Sequence, residues 1–436
     1  MTYRFRVQVA GFFLLLGLLV GCAVNPVTGR QELALFQVST SEEISLGRQT
    51  FPRALQQVGG EYGDPQLAEY VRQVGDVLAN VSQRPDLPYQ FKVVNDSTPN
   101  TFALPGGFVA ISRGLLAALE NEAQLAAVLG HELGHVTARH SVQAMQSGSL
   151  LGLGMAVLGG VAGQGGYAVA AQQAGQLAAG LLENTYSREQ ERESDRLGVD
   201  YLVLAGYDPQ GAVHLQEYFY RKVEQGAEPM WLVGLFRTHP FSKERMLDLQ
   251  QYVAERYAVT VGDPRYVLKQ QAFARAVAGL RRMQQGYAFY DQARQFEAQG
   301  QLARAIAIYL KAATAAPDQA LILTALGTAY LKADDLVAGQ QHLSRAVQLD
   351  GKYYRSRLGL GYLLLEQEDY PLAIRELEAS MALLQTLQGA YLLAGAYEGN
   401  RQIGQAVEMY RAVVKADANG RMGQSAAERL RELERP

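Results

Sequence analysis

The chain has 436 residues, a length that suits two or three domains, and 48% of it is apolar, enough for each domain to bury a core. Its net charge of −3, with no basic stripe interleaved with aromatics, excludes the electrostatic footprint of a nucleic-acid binder. A single cysteine, Cys22, excludes a disulfide within the chain.

The first six residues, MTYRFR, form a short basic head, and the uncharged apolar run VQVAGFFLLLGLLVG follows. That is the layout of a secretion signal, which is set aside from fold reasoning. Leu19-Val20-Gly21-Cys22 closes the run with a small residue and then a cysteine, and this resembles the bacterial lipoprotein signal. The resemblance implies a signal peptide over 1–21 and a lipid on Cys22. With Ala23 next, it also implies a chain anchored on the periplasmic side of the envelope, at the outer membrane. Residues 22–45 read as a tether, with turn signals at Asn25-Pro26 and Thr28-Gly29 and little periodicity.

Helical pattern starts near residue 42 and returns in DPQLAEYVRQVGDVLANVS. QFKVVN at 90–95 alternates as a strand does, and FALPGGFVAISRGLL at 102–116 reads as strand, glycine turn, strand and helix start. Residues 121–145 read as one continuous helix carrying HELGH. Residues 141–182 carry no charge and are rich in Gly, Ala and Leu. Their apolar core at 149–163 falls short of the ~20 residues that a membrane-crossing helix needs. A helical hairpin on the domain is expected there, and contact with a bilayer is left open. Helical pattern resumes at 183–205, 208–226 and 242–257.

The last third repeats itself. Leu326-Gly327 and Leu360-Gly361 are 34 residues apart, and Ala305 with Tyr309, Ala373 with Leu377, and Ala406 with Tyr410 recur in the second half of their units. Small residues at fixed offsets let paired helices approach, and a 34-residue helix–turn–helix period is the tetratricopeptide signature. Four units are expected, at about 286–319, 320–353, 354–386 and 387–419, with a charged terminal helix as a cap. The expected fold is mostly α: an α+β domain over 46–265 with a small sheet beside the HELGH helix, a connecting helix over 266–285, and an α-solenoid over 286–436.

On a helix, residues i and i+4 share one face, about 6 Å apart along the axis. His131 and His135 can therefore offer two imidazole nitrogens to one metal, and Glu132 stands on the adjacent face, able to bond a water there. Zinc suits imidazole and carboxylate, and a catalytic site takes three protein ligands and keeps a position open. A third ligand is sought in SREQERESD, where Glu189, Glu191 and Glu193 compete. Glu191 and Asp195 share a helix face, so a ligand at Glu191 would leave Asp195 one turn away to fix a histidine through its second nitrogen.

HELGH followed by Val136-Thr137-Ala138-Arg139-His140, then SREQERESDRLG, resembles the zinc metallopeptidase family that includes HtpX and the CAAX prenyl protease. The order of parts resembles its periplasmic BepA-like branch. The resemblance implies His131, His135 and Glu191 as ligands of one zinc per subunit, Glu132 as catalytic acid and base, and Asp195 as the carboxylate behind a ligand histidine. The stretch Asn100 to Gly107 also matches a family segment that forms the sheet edge beside the cleft. An extended substrate is expected to add a strand at Gly107, Phe108, Val109, Ala110 and Ile111.

Of the remaining histidines, His140 lies five residues past His135, off its face on a continuous helix, while His214 and His342 fall in helical runs and read as structural. His239 precedes Pro240, which holds it extended. Three roles stay open for it: a fourth ligand that latches the site, an oxyanion helper, or loop packing with Arg245. Two functions follow. One is an envelope zinc endopeptidase that degrades misfolded or stalled outer-membrane proteins, its repeats binding the assembly machinery, with a chaperone role possible. The other is a repeat scaffold or chaperone with minor proteolysis.

Overall fold

The structure, a computed structural model, describes residues 38–146, 167–224, 238–240 and 242–435, with 22–24, 27, 29, 31–33, 152, 154 and 157. The signal segment 1–21 and most of 147–166 lie outside the described residues. Cys22–Val24 (β1) pairs antiparallel with Gln31–Leu33 (β2), so the expected tether contains a short ribbon. No described helix is long and apolar enough to cross a membrane.

Thr40–Gln57 (α1) starts from a capping box in which Ser39 and Glu42 satisfy each other's backbone donors. Pro65–Asn80 (α2) is capped by Asp64 with proline at its first position. Three strands follow: Gln90–Val94 (β3), Thr101–Leu104 (β4) and Phe108–Ser112 (β5). Their order is β3-β5-β4, with β5 parallel to β3 and antiparallel to β4. The β4–β5 turn places Gly106 and Gly107 at φ +84° and +97°, and a side chain on Gly106 would meet the α1 backbone at 2.7 Å.

This order corrects the expected substrate strand. Residues Gly107 to Ile111 do not border the sheet; β5 is its centre, paired on both sides, with all five of its residues buried. Phe108 and Ala110 pack on α1, while Val109 and Ile111 face the opposite core. An unbroken apolar run is what burial on both faces looks like in sequence. The outer side of β3 is engaged by Glu61 and Tyr62, so the open edge belongs to β4.

Arg113–Ala118 (α3) leads to Glu122–Thr137 (α4), capped by Asn121. The expected continuous helix breaks after Thr137. Arg139 adopts φ 62°, and His140–Gln146 (α5) sets off in a new direction. Tyr167–Leu182 (α6) lies on the α1 side of the sheet, its Leu177 and Ala178 packed in the same cluster as Phe102 and Phe108. Arg188–Leu204 (α7), Gln210–Glu224 (α8) and Lys243–Arg256 (α9) complete the domain.

Gln270–Ala276 (α10) and Ala278–Arg282 (α11) replace the expected single connecting helix, and Phe273, Val277 and Leu280 sink into the main core. Four helical hairpins then stack: Gln284–Ala298 with Leu302–Ala315, Ala320–Lys332 with Leu336–Leu349, Tyr354–Glu366 with Tyr370–Leu383, and Leu387–Gly399 with Ile403–Ala416 (α12 to α19). Arg421–Leu433 (α20) packs on the last pair. The small residues of the pattern, Ala305, Ala373 and Ala406, are fully buried between helices. The fold is mostly α with a small three-stranded sheet in the first domain, as expected.

The contact between α4 and α7 sets the position of the site. A methyl group on Gly134 would meet Ser194 Cα at 2.8 Å, and one on Gly198 would meet the His131 nitrogen at 2.8 Å. Gly198→Ala is therefore expected to force the helices apart and cost about 1–3 kcal/mol. Gly395→Ala, in a helix with space at 3.8 Å, is expected to be neutral or mildly stabilising. Thermal unfolding of both full-length variants checks this.

Candidate metal centre

Helix α4 carries His131 and Glu132 in one turn and His135 in the next, and α7 carries Glu191 and Asp195 one turn apart. The glycine contacts hold the two helices close enough to join these groups. His131 Nε2 and His135 Nε2 lie 3.1 Å apart. The Glu191 carboxylate lies 3.5 Å from each, through Oε2 and Oε1 respectively. His239 enters from the segment before α9 and places Nδ1 2.9 Å from Glu191 Oε1 and 3.3 Å from His131 Nε2. One ligand atom from each of His131, His135, Glu191 and His239 falls within 4.8 Å of all the others.

Asp195 Oδ1 stands 2.9 Å from His131 Nδ1, so the carboxylate sits behind the ring and leaves Nε2 toward the cluster. Arg245 grips Asp195 through Nε and Nη2 at 2.9 and 2.8 Å, pairs with Glu191 at 2.5 Å, and donates to the Pro240 carbonyl at 2.9 Å. The sequence marks Arg245 only as a packing partner for His239. The ring of Tyr186 stacks on His135 at 3.8 Å, and its hydroxyl bonds Ser141 at 3.0 Å. His140 also comes to the site, its Nδ1 2.9 Å from His135 Nδ1. On an unbroken helix it would face elsewhere; the turn at Arg139 redirects it. The glutamates separate by position: Glu189 is exposed, Glu191 joins the cluster, and Glu193 Oε2 bonds His140 Nε2 at 3.1 Å.

Burial dominates the electrostatics. It pushes the His135 imidazole well below its usual range, with His131 and His140 adding to the shift, so the ring is neutral as a metal ligand must be. Burial opposes charge on Glu191, yet His239, His135 and Arg245 outweigh it and hold that carboxyl well below its usual range. Burial raises Glu132 against the pull of His239 and His131. Both Glu132 oxygens are buried without a hydrogen bond among the described residues, and His239 Nε2 stands 3.5 Å from Oε1.

A divalent cation fits this arrangement. Two neutral imidazoles, a carboxylate and a further imidazole converge, and the unsatisfied oxygens of Glu132 stand beside them.

Residues 65–253 match the profile of Peptidase family M48, and this segment of the chain is a peptidase domain of that family. Among its relatives is the beta-barrel assembly-enhancing protease of Escherichia coli K12, 30% identical over 48% of this chain and 44% of that protein. A putative beta-barrel assembly-enhancing protease of Vibrio cholerae is 31% identical over 43% of this chain and 39% of its own length. The mitochondrial metalloendopeptidase OMA1 of Schizosaccharomyces pombe is 31% identical over 46% of this chain and 59% of that protein. The chain thus spans about two fifths of the length of the first curated relatives it matches. The family implies a metal cofactor.

The buried charge network yields an expectation. Arg245→Met leaves Asp195 and Glu191 buried without their guanidinium, and removing one partner of such a pair costs about 3–5 kcal/mol. Thermal unfolding of chelator-treated protein should show a fall of several degrees. A melting temperature within a degree of wild type would mean that water reaches these carboxylates.

Proposed function

We propose that the chain is a zinc-dependent endopeptidase of the bacterial cell envelope, acting on misfolded or stalled outer-membrane proteins. The observation that carries this is the convergence of His131, His135 and Glu191 beside the buried carboxylate of Glu132, whose oxygens have no hydrogen bond among the described residues. His131, His135 and Glu191 would hold the metal, with Asp195 fixing His131 from behind. Zinc there would supply Lewis acidity and lower the pKa of a water.

Glu132 takes the proton of the attacking water and returns it to the leaving amine. Burial raises that carboxyl, so it takes the water's proton more readily than an exposed carboxylate would and holds it for the leaving amine. The substrate pairs with the outer edge of β4, where Ser141 Oγ donates to the Ala103 carbonyl at 3.3 Å and has to give way. By the alternation of an antiparallel ladder, Thr101 and Ala103 turn their backbone groups outward there. A cavity of about 60 Å³ lined by Thr101, Val128, His131, Phe219 and Leu249 lies beside that edge and takes an apolar side chain. Main-chain pairing with one shallow pocket makes little sequence demand and favours unfolded chains.

His239 is the latch. It is 4% exposed, reaches Glu191, His131 and Glu132, and is steadied by Tyr186 N on the Thr238 carbonyl and by Arg245 on Pro240. Substrate must displace it. The repeats supply a partner surface: a groove of about 480 Å³ between residues 95–98 and the repeat helices, lined by Tyr290, Arg294, Tyr353 and Tyr362. Components of outer-membrane assembly are its expected partners, and a lipid on Cys22 would place the chain beside them. The second reading, a scaffold or chaperone with minor proteolysis, draws on that groove and on the closed latch.

Zinc content and cleavage of unfolded casein separate the two. Full-length wild type is expected to hold about one zinc and cut slowly. Glu132→Gln should retain zinc and lose roughly 10²–10⁴-fold in rate, the usual worth of positioned proton transfer. His239→Ala should cut faster than wild type. No zinc and no cleavage in any of the three, with zinc added back, would leave the scaffold.

A further inference from the structure

His140 takes no part in those steps, yet it is 1% exposed and sits at the centre of a polar chain. Its Nδ1 lies 2.9 Å from His135 Nδ1 and its Nε2 3.1 Å from Glu193 Oε2. Ser194 Oγ approaches the same Nδ1 at 3.4 Å. We propose that His140 and Glu193 are positioning residues for His135, fixing its tautomer and the edge of its ring so that Nε2 is presented to the metal. This rests on the metal-centre reading above.

The hydrogens can be assigned by elimination. A carboxylate accepts, so the hydrogen on the outer bond belongs to His140 Nε2. With the ring's one N–H placed there, His140 Nδ1 is left bare to accept. The hydrogen shared between the two rings is then that of His135 Nδ1. His135 then keeps a bare Nε2 aimed at His131 Nε2 and Glu191, the form a metal ligand needs. Were the chain reversed, Nε2 would carry a hydrogen and could not ligate.

Packing alone does not achieve this. Tyr186 stacks on His135 with 24° between the planes, which restrains the tilt of the ring. Half a turn about χ2 keeps that plane while exchanging the nitrogen and carbon edges. The bond to His140 decides between the two. The two histidines of α4 thus receive different support: His131 leans on a carboxylate locked by Arg245, and His135 on an imidazole backed by Glu193. Outer partners of metal-bound histidines typically carry a 10–100-fold effect on affinity.

The test uses the full chain as wild type, His140→Leu, His140→Asn and Glu193→Gln. Zinc affinity is read by competition with a chromophoric chelator, and geometry by the visible spectrum of the cobalt(II)-loaded protein. His140→Leu should bind zinc about 10–100-fold more weakly and alter the cobalt bands. His140→Asn should recover most of the affinity, because its amide oxygen accepts from His135 while its nitrogen donates toward Glu193. Glu193→Gln should fall between. Wild-type affinity in His140→Leu, within a factor of two, overturns the proposal. So does an Asn variant as weak as Leu with an equal loss of melting temperature, which would mark His140 as packing alone. Should His140→Leu fail to fold, Glu193→Gln decides: several-fold weakening supports the proposal and unchanged affinity overturns it. A wild type that binds no zinc sinks the metal centre itself, and this inference with it.

Discussion

Two helices approach closely, and the site exists because they do. At Gly130, Gly134 and Gly198 the backbones of α4 and α7 come within reach that a methyl group would block. Each helix alone presents half of a centre. Brought together at that spacing, one carboxylate on α7 stands 3.5 Å from both histidine nitrogens of α4. Groups mounted on packed helices are held more precisely than groups on loops, and metal ligation tolerates little misplacement.

Such packing leaves charged groups out of water. Glu132, Glu191, Asp195, His239 and Arg245 are all buried, and isolated charges in that setting cost several kcal/mol each. Arg245 answers most of this cost by holding both carboxylates of α7, and it also reaches the segment that carries His239. One guanidinium therefore joins the two faces of the site. Glu132 is left outside the network with both oxygens unsatisfied. A buried polar group without a hydrogen bond is rare in a settled interior, and it stands where the chemistry is expected.

The repeats are not a loose appendage. Gln56, at the end of α1, donates to the Lys352 carbonyl at 2.7 Å and accepts from the Tyr354 nitrogen at 2.9 Å. Arg113, buried beside the sheet, stacks on Tyr287 of the first repeat at 3.2 Å. A single apolar cluster runs from Leu67 and Ile111 through Phe273 to Tyr309. Helix α1 thus touches the repeats at one end and the sheet and α6 along its length. Close-packed interiors are stiff, so a displacement in the repeats is felt at the sheet.

HELGH and the repeats were legible in the sequence because their geometry is local. The i, i+4 spacing of His131 and His135 puts them on one face whatever the helix packs against, and the small residues of the repeat recur at intervals that only stacked hairpins explain. Other features depended on partners distant in the chain. The edge of the sheet moved from Phe108 to Thr101 because strand order follows from a crossover, not from the pattern of any one strand. The choice among three glutamates required the rotation of α7 against α4. His140 joined the site because Arg139 leaves the helical conformation, and Arg139 is held by the buried carboxylate of Glu43 on α1. The sequence by itself determined the ligand types, their helical spacing and the repeat period, since each is set within a turn or a hairpin. Which carboxylate meets which histidine, and through which nitrogen, was decided by tertiary packing, because those contacts join residues that only the folded core brings together.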